Sequence, residues 1–228
     1  MSTSSIPNFW SFSTNWIIPN KPDDTQVGSL RSDPTQRTTV TSWNGLENGD
    51  AILQAVPAWN WYYTGSSATY LNFDKQWSWA IWGGDTTHGL TWLTTPQSLN
   101  EGDSFAATYW VGSSSTTSTT WDINAGKPGS PNIISWSTSD LTSQNAEMDV
   151  TEEAYLLREK YSAQSTVWDA QYFPQNTQFT NFVIEDTTGT MYNPAFTGCI
   201  NNQWGQNIST LNVGIDPSPY AITLHTTS

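Results

Sequence analysis

"SFAATYWVGSSSTTSTTWDINAG", residues 104–126, decides the fold class. Its first part alternates large apolar residues with small or polar ones, which is the period of a β-strand with one buried face. A polar tip of serines and threonines follows, and then a second β-prone run, "WDINAG". Two such runs joined by a polar segment indicate an antiparallel hairpin. The residues predicted to share one face of the first strand are Phe105, Ala107, Tyr109 and Val111.

The rest of the chain has the same character. Short β-prone runs such as "TTVTSW", "AILQAV" and "NIISWST" recur between clusters of Gly, Pro, Asn and Ser, and helical periodicity is nearly absent. Many short strands with turns between them predict an all-β fold, an antiparallel β-sandwich formed by one domain over residues 1–228. One segment, "EMDVTEEAYLLREKYSAQ", departs from this pattern: its start is strand-like, whereas "EEAYLLREKY" is interpreted as a short helix.

The chain contains 14 tryptophans, and the run "QWSWAIW" shows how they are distributed between faces. Alternation places Trp77, Trp79 and Ile81 on one face of this strand and Trp82 on the other. Large groups on both faces indicate a strand that is covered on one side and lines a cleft on the other. We therefore expect one of Trp79 and Trp82 in the core and one in a cleft, where tryptophans stack on sugar rings or on extended peptides.

The charge balance argues against some partners. Lys and Arg number 7 and Asp and Glu number 20, which gives a net charge of −13. Without a basic surface the chain is not expected to bind nucleic acid or an anionic membrane. The acidity agrees with solubility, and also with a protein that works at low pH.

Cys199 is the single cysteine, and with the separated His88 and His225 it argues against a zinc site, so no cofactor is expected.

The N-terminal sequence bears on localisation. "MSTSSIPNFWSF" has neither a basic region nor an apolar core, so no signal peptide is visible. We expect a cytoplasmic protein if Met1 is the natural start, and a secreted one if Met1 was added to a mature chain. Asn207 opens a single glycosylation sequon, which favours export. No apolar run approaches the length of a membrane-spanning helix.

Gln54 stands out within the run "AILQAV". An apolar residue would pack better in such a strand, so the amide needs an explanation. The ordinary one is a side chain that faces solvent or satisfies itself by a local hydrogen bond. The functional one is an amide N–H that donates to a negatively charged oxygen during catalysis.

Several motifs occur in an order that resembles the glutamic peptidases, or eqolisins, which are acid endopeptidases found mainly in fungi. The motifs are "FSTNWIIP", "TSWNGLENGDAILQAV", "SLNEGDSFAATYW", "NAEMDVTEE" and "QYFPQNTQFTNFVIEDTTG". The resemblance covers roughly residues 10 to 215. It implies a sandwich of two bent antiparallel sheets, similar to the concanavalin A-like jelly rolls, with a concave groove that holds the substrate.

The resemblance also implies a catalytic pair made of a glutamine and a glutamate. The glutamine matches Gln54, and the glutamate would take a proton from water as general base. Aligned without a gap on "NAE", the family's acid falls on Thr151, which is not a base. One extra residue, accommodated by a β-bulge, places it on Glu152. In the uninterrupted register Glu153 and Asp149 lie on the groove face instead. They are the alternatives to Glu152 as the general base.

The resemblance makes Trp43, Trp79 and Trp82 candidates for shaping the substrate groove. Departures from the family pattern leave the activity open, since a family Asp is replaced by Ala58 and a family acid by Ile81. Three functions therefore compete. The chain is an acid endopeptidase on peptides, a non-catalytic lectin-like or peptide-binding module on the same groove, or a different enzyme, such as a glycosidase with two facing carboxylates.

Overall fold

The computed structural model describes six ranges of the chain: 9–21, 36–59, 76–158, 161–166, 177–192 and 221–224. Cys199, His225 and Asn207 lie outside the described residues, as do the β-prone runs "NWYYTG" and "STLNVGI". The expectations attached to these positions therefore stay expectations.

Every regular element in the described residues is a β-strand. No helix in that part of the chain is long and apolar enough to cross a membrane. The strands are β1 (Phe9–Ile17), β2 (Gln36–Glu47), β3 (Ile52–Trp59), β4 (Trp77–Gly84), β5 (Thr91–Trp92), β6 (Gln97–Leu99), β7 (Ser104–Ser114), β8 (Thr119–Lys127), β9 (Ser130–Thr138), β10 (Glu147–Arg158), β11 (Tyr161–Thr166), β12 (Thr177–Asp186), β13 (Met191–Tyr192) and β14 (Ala221–Leu224).

The strands form two antiparallel sheets. Sheet I has the order β13-β12-β1-β7-β8-β9, with β14 beside β12. Sheet II has the order β11-β10-β2-β3-β4-β5, with β6 beside β4. The expected antiparallel β-sandwich is confirmed. The hairpin predicted from residues 104–126 is β7–β8, and its tip is closed by the Ser115 N–H donating to the Ser118 carbonyl at 2.9 Å.

The main core lies between the two sheets and is rich in aromatic side chains. Sheet I contributes the inward faces of β7 and β1. There the ring centroids of Phe105 and Trp16 are 4.8 Å apart. Sheet II contributes Trp77, Trp79 and Ile81, the face of β4 that alternation predicted. Burial of these side chains is the main favourable contribution to folding.

Within the described residues, the segment interpreted as a short helix is strand: residues 152–158 belong to β10, and Tyr161 begins β11. β10 pairs with β2 over twelve consecutive residue pairs, from Glu147 opposite Glu47 to Arg158 opposite Gln36. The helix interpretation was therefore wrong. "EEAYLLREKY" contains good helix formers, but its pairing with a strand about a hundred residues away in the chain overrides local propensity.

Candidate active site on the outer face of sheet II

The face of sheet II that points away from the core carries a second apolar cluster. Residues of β3 alternate between the two faces, so that Leu53 and Ala55 lie in the core while Ile52 and Val56 lie outside. Trp82 and Trp92 meet on this outer face, with ring centroids 4.0 Å apart. The buried members of the cluster are Trp43, Val56, Ala58, Ala80 and Trp82.

The tryptophans of β4 divide between the faces as predicted. Trp79 belongs to the main core, where its ring meets the edge of Phe105 with centroids 4.9 Å apart. Trp82 lies on the outer face with Trp43. The interpretation of Trp79 as a groove residue is therefore wrong. Trp79 and Trp82 are three residues apart, and residues an odd number apart along a strand lie on opposite faces.

Gln54 lies on this outer face in a row that crosses four strands. It stands opposite Gly45 of β2 on one side and Trp82 of β4 on the other. Gly45 in turn stands opposite Asp149 of β10. Directly opposite residues of an antiparallel pair share a face, so Asp149 and Gln54 belong to the same face. Two strand spacings separate their backbones, which is about 10 Å.

Gly45 places no side chain between this amide and this carboxylate. A Cβ atom at Gly45 would lie 2.7 Å from the Leu53 carbonyl oxygen and 2.9 Å from the Gln54 Cβ. No side chain fits at that distance, so only glycine is compatible with this approach of β2 and β3. A glycine inside a strand is a sequence signal for close backbone approach, and it could have marked the position.

Both polar members of the row are buried. Gln54 and Asp149 are each 8% exposed. The interpretation of Gln54 as a solvent-facing amide is therefore wrong. Its Oε1 atom has no hydrogen-bond partner within the described part of the chain. A buried acceptor without a partner is costly, and native structures keep few of them outside functional sites.

The register of β10 decides which other acids share the outer face. Thr151 stands opposite Trp43, Glu152 opposite Ser42, and Glu153 next along the strand. Thr151 and Glu153 therefore lie on the outer face, and Glu152 lies on the opposite one. The expected one-residue bulge was wrong: the β2–β10 pairing is continuous, and a strand paired without interruption has no place for an extra residue. Of the predicted acids, the pairing brings Asp149 into the row of Gln54.

A buried tyrosine supports this row from the other side of the sheet. Tyr109 of β7 accepts a hydrogen bond from the Ala55 N–H at 2.7 Å and donates to the Asn44 carbonyl oxygen, 2.8 Å away. Burial raises the pKa of the Tyr109 phenol, so the hydroxyl stays protonated. The sequence predicted Tyr109 as a core residue but gave no sign of these partners.

The outer face continues into an acidic cavity of about 330 Å³ at the end of the β2–β3 hairpin. Glu47 and Asp50 line it, and so does Asp85, which follows β4. Burial raises the pKa of Asp85, but hydrogen bonds from the His88 backbone and ring and from Thr138 outweigh it and hold that pKa below its ordinary value. Among the described residues, no three His, Cys, Asp or Glu side chains come together as metal ligands.

Solved structures with the same architecture exist. Scytalido-glutamic peptidase, determined with a peptide-based transition state analog, superposes with a TM-score of 0.57 at 14% identity, over 99% of this chain and 96% of that one. SCP-B, an eqolisin in complex with the tripeptide Ala-Ile-His, gives a TM-score of 0.54 at 13% identity, over 99% and 96%. The chain has the fold of the glutamic peptidases. Neither a family model nor a curated protein matches its sequence.

The likeness to the glutamic peptidases inferred from the ordered motifs is thus confirmed for the fold. At 13–14% identity it says nothing about chemistry. In this chain, an amide, a carboxylate and two tryptophans lie on one face of sheet II. Those residues are Gln54, Asp149, Trp43 and Trp82.

Proposed function

We propose that this protein is an endopeptidase of the glutamic-peptidase type that hydrolyses extended peptides on the outer face of sheet II, with Gln54 and Asp149 as its catalytic pair. The observation that carries the proposal is the row of Asp149, Gly45 and Gln54 across three strands. An amide and a carboxylate stand on the same face, and the position between them has no side chain.

The chemistry uses one hydrogen-bond donor and one base. The Asp149 carboxylate takes a proton from a water molecule, and the oxygen of that water attacks the carbonyl carbon of the peptide. The Gln54 amide N–H donates to the carbonyl oxygen as it becomes an oxyanion. Asp149 then returns its proton to the nitrogen of the leaving amine, the C–N bond breaks, and the carboxylate is regenerated. The space above Gly45 is where the water and the carbonyl would meet.

The substrate class follows from the surroundings of the row. Trp82 and Trp43 form an apolar cluster on the face that carries Gln54, and aromatic rings are suited to binding extended chains. Two of the similar solved proteins hold peptide ligands, a peptide-based transition state analog and a tripeptide. These observations support an extended peptide rather than a small molecule.

A second candidate is a non-catalytic module that binds peptides or saccharides on the same face. The observation in its favour is Thr151, which the resemblance aligns with the family's catalytic acid and which stands opposite Trp43. A threonine there supplies no base, and the tryptophans would still bind a ligand.

Digestion of a denatured protein substrate across about pH 2–6, the range in which carboxylate bases titrate, separates the two candidates. We expect wild type to cleave. Gln54→Ala should lose about 10²–10³ in kcat, the usual loss for one oxyanion donor, and Asp149→Asn about 10²–10⁴, the usual contribution of a general base. Asp122→Asn is the matched control, because it makes the same chemical change on sheet I. Glu152→Gln tests the register and should cleave normally. If folded wild type cleaves nothing at any pH, hydrolysis is excluded, and peptide and glycan binding are measured instead.

A further inference from the structure

We infer that Tyr109 is a positioning residue for Gln54: its hydroxyl fixes the β2 and β3 backbones so that the Gln54 amide points at the space above Gly45. The effect on turnover rests on the proposed function. The effect on the position of the amide does not, and it is measured separately.

The hydroxyl bridges the two strands at one residue pair. In an antiparallel pair a backbone N–H donates to the carbonyl of the strand opposite. Here the Ala55 N–H donates to Tyr109, and Tyr109 donates to the carbonyl of Asn44, the residue that stands opposite Ala55. Ala55 directly follows Gln54, and Asn44 directly precedes Gly45. The hydroxyl thus lies at the pair next to the Gly45–Gln54 pair.

The pairing of β2 and β3 opens immediately beyond this hydroxyl. Paired residues end with Asn44 opposite Ala55 and resume only with Thr41 opposite Ala58. Pro57, inside the gap, has no N–H to donate. In the described structure the Tyr109 hydroxyl therefore lies at the last β2–β3 residue pair before this interruption.

Buried polar atoms mark the same opening. Thr41 Oγ1, Ser42 Oγ, Asn44 Nδ2 and Gln54 Oε1 have no hydrogen-bond partner among the described residues. None of these atoms can hold the strands in register. The Tyr109 ring itself is held in place, since it is fully buried and stacks on Phe12 with centroids 6.0 Å apart.

The experiment compares Tyr109→Phe with Tyr192→Phe. Both remove one hydroxyl from a tyrosine, but Tyr192 donates to Asp186 at 2.7 Å on sheet I, away from Gln54. The readout is the NMR signal pair of the Gln54 side-chain amide, assigned by its loss in Gln54→Ala, together with hydrogen exchange at the Ala55 N–H. Tyr109→Phe should shift the Gln54 signals and speed exchange at Ala55. Tyr192→Phe should change neither.

Kinetics supply the second readout. Tyr109→Phe should lower kcat about tenfold to a hundredfold at nearly constant KM, because a misplacement of about 1 Å in a catalytic group costs on this scale. Gln54→Ala added to Tyr109→Phe should cost much less than Gln54→Ala alone, since the two act through one group. Tyr192→Phe should keep the wild-type kcat.

The outcomes separate the two proposals. If wild type cleaves nothing but Tyr109→Phe shifts the Gln54 amide signals, the peptidase proposal fails and the positioning role stands. If those signals stay in place in folded Tyr109→Phe, the positioning role is overturned whatever the activity. If Tyr109→Phe does not fold, 4-aminophenylalanine at position 109 replaces it. That residue keeps the ring and a donor towards Asn44 but removes the oxygen that accepts the Ala55 N–H, and the same shift is expected.

Discussion

Gln54 and Asp149 lie on the same face of sheet II with Gly45 alone between them. Each is 8% exposed, so both groups are largely shielded from water. An amide and a carboxylate separated by a position without a side chain can act on one bound group from two directions. The peptidase proposal depends on this arrangement, and the first prediction tests it directly.

Gly45→Ala should damage both stability and turnover. The new methyl group would lie 2.7 Å from the Leu53 carbonyl oxygen, so β2 and β3 must move apart. We expect the free energy of unfolding to fall by about 1–3 kcal/mol, the usual cost of overpacking, and kcat to fall with it. Urea unfolding and substrate digestion are the measurements.

Gly129→Ala is the matched control for that change. Gly129 has a φ of +84° in the β8–β9 turn of sheet I, and a Cβ there meets nothing within 4 Å. The free energy of unfolding of Gly129→Ala should fall by about 1–2 kcal/mol through backbone strain alone. Its kcat should stay at the wild-type value. If Gly45→Ala turns over substrate at the wild-type rate, the absence of a side chain at position 45 has no role in catalysis.

The two tryptophans of β4 should respond differently to truncation. Trp79→Ala removes a main-core side chain and should lower the free energy of unfolding by about 3–5 kcal/mol without a specific effect on ligand affinity. Trp82→Ala should also cost stability, because Trp82 is only 7% exposed, but it should in addition weaken peptide binding. Urea unfolding and calorimetric titration with a peptide measure the two effects. Equal affinity losses in both folded variants would argue against a ligand on the outer face.

Acid should remove one stabilising contact on sheet I. Hydrogen bonds from the Thr188 and Tyr192 hydroxyls hold the pKa of Asp186 at about 2. Since the folded pKa is depressed, the contribution is complete above the unfolded value of about 3.9 and is lost as the pH falls through the folded value. Asp186→Asn should therefore lower Tm near neutral pH, and the Tm difference from wild type should shrink between about pH 4 and pH 2. A difference that stays constant over this range, measured by circular dichroism, would refute the assignment.

A peptide-based transition-state analogue should stabilise the wild type. A ligand present at a hundred times its Kd adds about 2.7 kcal/mol to the free energy of unfolding, and Tm should rise accordingly. Gln54→Ala and Asp149→Asn should lose most of this rise, since both groups are proposed to contact the reacting centre. Asp122→Asn should keep it. If a substrate-like peptide stabilises the protein as strongly as the analogue does, the face binds peptides without preferring the transition state.

The parts of the fold that follow from local sequence were predicted well. The hairpin over residues 104–126 and the alternating faces of β4 depend on a two-residue period that is visible within a short window. The segment Glu147–Arg158 was mispredicted in part because its structure depends on β2, about a hundred residues earlier. Local helix propensity could not reveal that partner.

The site was predicted less completely, for the same physical reason. Gln54 was visible because an amide interrupts an apolar run. Choosing between Glu152 and Asp149 required the register between two distant strands, which no local pattern contains. Tyr109 was placed in the core by its alternation, but its partners Asn44 and Ala55 are 65 and 54 positions away in the chain.

The uninterrupted pairing of β10 with β2 makes chain length as important as residue identity at this site. Loss of the codon for Thr151 would carry Glu152 into the place opposite Trp43, and with it a carboxylate onto the outer face. A three-nucleotide deletion would thus deliver a glutamate to the position that a glutamic peptidase is expected to use, with no codon rewritten. In a paired strand, the gain or loss of one residue changes the chemistry of a surface more than most single substitutions do.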